Sequence, residues 1–159
     1  MAIYDVEQFL KEAGVLFKAQ LNTEINAINI EKGDFNINTI NANAWYLNYI
    51  PGVFSYPEFI VWGLDSVSPT ESQNDNFIKT PKIAFEVILI DKGEKTTEQM
   101  IYKHLRYMRA LESVANKNYD KFHGIAKLQV QDLLPTSFVW SGKILRSAGI
   151  SITASFTAN

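Results

Sequence analysis

The sequence predicts an α+β fold: a mixed, mainly antiparallel sheet of about four to five strands packed by two helices, with a protruding β-hairpin arm. Three observations point there. Two stretches repeat apolar residues at helical spacing, several others alternate with period two, and the helical and extended stretches are segregated instead of strictly alternating. With 159 residues, 47% of them hydrophobic, the chain has the length of a single domain (1–159) and enough apolar surface for a core without staples.

The first helix is expected over residues 5–22. Asp5 and Gln8 have capping-box spacing, and Val6, Phe9, Leu10, Ala13, Leu16, Phe17 and Leu21 form one apolar stripe. Gly14 interrupts it at a cost of about 1 kcal/mol relative to Ala. From 25 to 40, Ile28 and Ile30 precede Lys32-Gly33-Asp34 while Phe35 and Ile37 follow it, with Asn filling the alternate positions. Period two around a glycine turn reads as a β-hairpin, here a polar arm. Leu21, Ile25 and Ile28 also keep helical spacing, so extension of the helix to Lys32 competes; the hairpin is preferred.

Residues 41–57 are aromatic and turn-rich, with Trp45, Tyr46, Tyr49, Pro51-Gly52, Phe54 and Tyr56-Pro57. Residues 58–63 form an apolar strand, buried on both faces. Residues 64–81 read as a long polar loop, a length that points to function or mobility. Residues 82–90 are the clearest strand, with Ile83, Phe85, Val87 and Leu89 on one face. Thr96 and Gln99 then open a helix running to about Asn116, with a core stripe of Ile101, Leu105, Met108, Leu111 and Ala115. After a basic loop, strands are expected at 125–133, ended by Pro135, at 138–145, interrupted by Ser141-Gly142, and at 150–156.

Chemistry is sparse. The absence of cysteine excludes disulfides, thiolate metal sites and cysteine nucleophiles. No apolar run is long enough for a transmembrane helix, and the N-terminus lacks the build of a signal peptide, so the cytoplasm is the expected compartment. His104 and His123 have no histidine at ligand spacing, and His104 reads as a packed core histidine. No phosphate-loop, dinucleotide, nucleophile-elbow or zinc-protease motif occurs, so no catalytic, cofactor or metal residue is assigned.

Charge is uneven. Residues 1–78 carry three lysines against ten acids, a net of −7; residues 79–159 carry twelve basic residues against seven acids, a net of +5. The split fits a basic nucleic-acid face, complementary patches between copies, or halves interleaved by the fold. Lys103, Arg106 and Arg109 interleave with Tyr102 and Tyr107 on the second helix. With Lys117 and Lys121, they make a small nucleic-acid-binding module the alternative function.

The order of elements resembles the tail terminator (tail completion) proteins of long-tailed bacteriophages. The similarity runs through the N-terminal helix, Phe54-Ser55-Tyr56-Pro57-Glu58-Phe59-Ile60-Val61-Trp62-Gly63, and a variable loop with Asp65-Ser66-Val67-Ser68-Pro69. It continues through the strand at 83–90, Asp91-Lys92-Gly93-Glu94-Lys95 leading to Thr97-Glu98-Gln99, and the terminal strand at 150–156. It covers about 5–22 and 54–157, leaving 25–50 as an insertion. The resemblance implies a virion structural protein of the tail or neck, assembled in the host cytoplasm. It implies a ring, commonly of six copies, that caps the tail tube and joins it to the head connector. Its partners would be itself, the tail tube protein, a head connector or completion protein, and DNA passing the channel; no membrane, catalysis or cofactor is implied. Candidate interface residues are Ile28, Ile30, Phe35, Ile37, Trp45, Tyr49, Phe54, Arg106, Arg109, Lys117 and Lys121. A neighbouring head-completion or connector ring is a second alternative.

Overall fold

In the computed structural model, which describes residues 5–71, 77–91, 97–121, 128–154 and 156–157, two helices cover one face of a six-stranded sheet. The elements in order are α1 (Val6–Lys32), β1 (Trp45–Leu47), β2 (Glu58–Glu71), β3 (Phe77–Asp91), α2 (Thr97–Lys117), β4 (Gln129–Trp140), β5 (Lys143–Thr153) and β6 (Phe156–Thr157). The sheet order is β1-β2-β3-β5-β4. Among the described residues, only the β1–β2 pairing is parallel. This is the α+β class the sequence predicts.

β3 is central, as its alternation requires: Ile83, Phe85, Val87 and Leu89 are all buried. Phe17 of α1 stacks on Phe85 at 3.9 Å, and Trp62 of β2 stacks beside Phe85 at 5.6 Å. Gly14 lets α1 settle onto that indole; a Cβ built there would lie 2.3 Å from the ring. The opposite face is covered at one end by the aromatic segment after β1. Tyr46 meets Phe59 edge-on at 5.6 Å, and Phe54 stacks on Phe59 at 5.8 Å.

β6 continues β5 along β3, and the ladder breaks opposite Pro81, whose carbonyl accepts from the Ala154 N–H at 3.3 Å. Proline has no N–H to return, so the ladder cannot be continuous there.

The expected hairpin at 25–40 is corrected by the structure. α1 continues to Lys32, where Gly33 caps it in the left-handed conformation (φ 65°) and donates its N–H to Asn29 O. Ile25 and Ile28 are buried because they extend the α1 stripe. Residues 34–44 then run back along α1 as an extended strap. Asn29 Nδ2 donates to Ile37 O at 2.9 Å, and Ile37 N donates to Asn29 Oδ1 at 2.8 Å. Asn22 holds Ile40 by the same two bonds at 2.9 and 2.8 Å. The spacing explains the fit: seven helical residues rise about 10.5 Å, and three extended residues span about 10 Å. The asparagines replace a strand partner, while Ile37, Ile40 and Ala44 enter the core.

Of residues 64–81, expected as a loop, 64–71 belong to β2 and 77–81 to β3, and the two strands stay paired out to Glu71↔Phe77. Pro135 does not end its strand; it lies within β4, an edge strand where a missing N–H is tolerated. Ser141-Gly142 is the two-residue turn of the β4–β5 hairpin, with φ of 49° and 74° as a type I′ turn needs. The strand expected at 150–156 therefore starts at Lys143. On α2 the inward stripe is Met100, His104, Tyr107, Met108, Leu111 and Ala115, and the expected core residues Ile101 and Leu105 are about half exposed. Thr96, His123 and the expected strand start at 125–127 lie outside the described residues.

Candidate interaction surfaces

The basic residues of α2 face the acidic residues of α1. The helices lie antiparallel, and partners follow one another along the seam: Asn118 with Gln20, Lys117 with Glu24, Arg109 with Glu31 and Arg106 with Asp34. Arg109 binds both Glu31 oxygens, at 2.9 and 2.6 Å. Arg106 is buried; it donates to Asp34 Oδ2 and Phe35 O, both at 2.8 Å, and lies 4.0 Å above the Phe35 ring. That guanidinium, together with the Phe35 N–H, holds the Asp34 carboxyl down to about 2. Burial pushes the Glu24 carboxyl up, but Lys117 and Ser113 outweigh it and the net shift is downward. Part of the −7/+5 asymmetry is thus closed within the chain itself.

The interface candidates therefore separate. Ile28 and Ile37 are core residues, a correction to their reading as interface anchors. Arg106 and Phe35 are occupied by each other, and Trp45 and Phe54 pack against the core. Ile30 (84% exposed), Tyr49 (57%) and Lys121 remain on the surface, with Arg109 and Lys117 exposed but paired.

The sequence reading missed the groups that present the most uncovered structure. Both outer edges of the sheet lack a neighbour among the described residues. β1 covers β2 only from Ile60 to Trp62, so residues 64–71 have an open edge. β4 is open along its whole outer side, and Leu133, Val139 and Trp140 are exposed on it. The missed signal was the run of alternating residues continuing on both sides of Pro135.

Shallow grooves lie beside the helix seam and on the sheet. One, of about 370 Å³, is bounded by Lys32, Asp34, Tyr102, Leu105, Arg106 and Arg109; its cations are largely matched by Asp34 and Glu31. The other, of about 200 Å³, lies on the open sheet face between Asn48, Gly63, Asp65 and Glu86. The Asn48 carboxamide sits where a Cβ on residue 63 would be, so a larger residue there would have to displace that side chain. Burial pushes the Glu86 carboxyl up, and nearby Asp65 adds to the shift. His104, expected as a packed histidine, has its Nε2 on Ser147 O, and burial lowers its basicity.

Among the described residues, no group of three or more His, Cys, Asp and Glu could hold a metal ion, and no helix is long and apolar enough to cross a membrane. Comparison with protein-family models and with curated proteins gives no match.

Proposed function

We propose that this chain is a structural ring subunit of a phage tail or neck, terminating the tail tube and joining it to the head connector. The observation that carries this reading is a sheet with two different open edges on opposite sides, one of them extended as a β-ribbon arm. Such a subunit is suited to heterologous contacts, in which one patch meets a different patch on the next copy, and these close into rings. The order of helix, strand, arm, strand, helix and terminal strands also follows the resemblance. Pairing of Arg106 with Asp34, Arg109 with Glu31 and Lys117 with Glu24 removes the main support for nucleic-acid binding by α2. The partners in this reading are further copies, the tail tube protein and a head connector or completion protein, with DNA passing the channel.

Light scattering followed by negative-stain imaging, at low and moderate salt, tests it. Closed rings with a central hole are expected. A species of 18.0 kDa at every concentration reached, which also fails to bind the ends of purified tail tubes, would overturn the proposal.

A further inference from the structure

We infer that the β2–β3 arm of one copy adds as a strand to the β4 edge of a second copy, joining the two sheets into one antiparallel sheet. This rests on the ring reading and specifies its contact. Among the described residues, each open edge presents backbone N–H and C=O groups without a ladder partner, and a long open edge is a template for another chain. β4 offers the twelve positions of Gln129–Trp140, and β2 offers residues 64–71. Neither stretch contains Lys or Arg, the residues that commonly blunt an edge. One proline stands in each, Pro69 and Pro135, so each edge loses one donor and keeps the rest.

Topology fixes the direction. β2 and β4 are antiparallel within one sheet, because three antiparallel pairings separate them. A rotation about an axis roughly along the strands preserves their directions, so β4 of one copy meets β2 of the next antiparallel, the more stable ladder. The two edges lie on opposite sides of the sheet, so one copy cannot satisfy its own.

Stagger supplies the magnitude. Through the sheet, Leu64 is level with Ile83, Ile152 and Val130. Pairing 64–71 with β4 over its full length places Leu64 of the next copy opposite Thr136 or beyond. With the bulge near Asp132 discounted, that is an offset of about five residues, or roughly 17 Å. Over four strands, about 19 Å wide, it corresponds to a strand tilt of about 40°, within the range that closes sheets into barrels. The register that satisfies the arm is therefore also one that permits closure.

The cysteine-free sequence allows a direct test. Ser66→Cys is mixed with Thr136→Cys, and separately with Ser137→Cys, under mild oxidation, with circular dichroism verifying each fold. Disulfide-linked pairs are expected in the mixtures, and a ladder of linked copies from the double variant Ser66→Cys/Thr136→Cys. Hydrogen exchange on the unsubstituted protein gives the second readout: slowed amides at 129–140 in the assembled fraction only. Rings without β2–β4 crosslinks or added protection at 129–140 would overturn this inference and leave the ring reading standing. Self-crosslinking of Ser137→Cys alone would indicate a two-fold β4–β4 pair and would also overturn it. Neither rings nor crosslinks would overturn both.

Discussion

Substituting Asn29 by Ala tests the strap. The side chain makes two hydrogen bonds to the backbone of buried Ile37, at 2.9 and 2.8 Å. At about 1 kcal/mol each, their loss costs about 2 kcal/mol. Alanine returns about 0.6 kcal/mol of helix propensity, so the net destabilisation is about 1.5 kcal/mol. Asn22→Ala removes the equivalent pair at Ile40 and carries a similar cost. The sites are about 10 Å apart along α1, so the double variant loses about 3 kcal/mol by additivity. Urea unfolding reads this directly. With a slope near 2 kcal/mol per molar, each single variant shifts the midpoint down by about 0.7 M with the slope unchanged. Asn26→Ala is the control, since Asn26 is exposed on the same helix and should be neutral or slightly stabilising. If Asn29→Ala behaves like Asn26→Ala, the clamp does not hold the strap and the account of residues 34–44 is wrong.

Four further outcomes are expected. Gly14→Ala, which gains about 1 kcal/mol in an open helix, should instead destabilise by about 1 kcal/mol net, because its Cβ would collide with Trp62; thermal unfolding and a shifted tryptophan emission report it. Two pH effects have opposite slopes, stability rising with pH through His104 and falling with pH through Glu86. His104 is held neutral in the fold, so its contribution is full above the unfolded value near 6.5 and is lost as pH falls below it; His104→Gln should flatten stability between about pH 5 and 7. Glu86 has a raised folded value, so its contribution is present below the unfolded carboxyl value and lost as pH rises; Glu86→Gln should therefore raise stability at pH 7. Finally, Arg106→Ala should lower the melting temperature while Lys121→Ala leaves it unchanged, because only Arg106 is buried against Asp34 and Phe35. Equal melting temperatures would count against the seam between α1 and α2.

The class of fold was legible because periodicity reports burial. The stripe from Phe9 to Leu21 and the alternation from Ile83 to Leu89 each repeat at the spacing of their own element, and both point into the core. Residues 25–40 were ambiguous for the same reason. Ile28 fits period two with Ile30 and helical spacing with Leu21 and Ile25, and only the two helical partners are buried with it. The deciding bonds run from Asn22 and Asn29 to residues eighteen and eight positions away, respectively, and a window of local spacing does not contain them.

The sequence by itself determined the two helices, the central strand, the absence of thiol chemistry and the opposed charges of the two halves. Tertiary structure decided where those charges go and which edges stay open. An ion pair such as Arg106 with Asp34 spans 72 positions, and a strand becomes an edge only when the other strands have taken their neighbours. Both depend on which segments meet in space, and composition and periodicity carry no record of that.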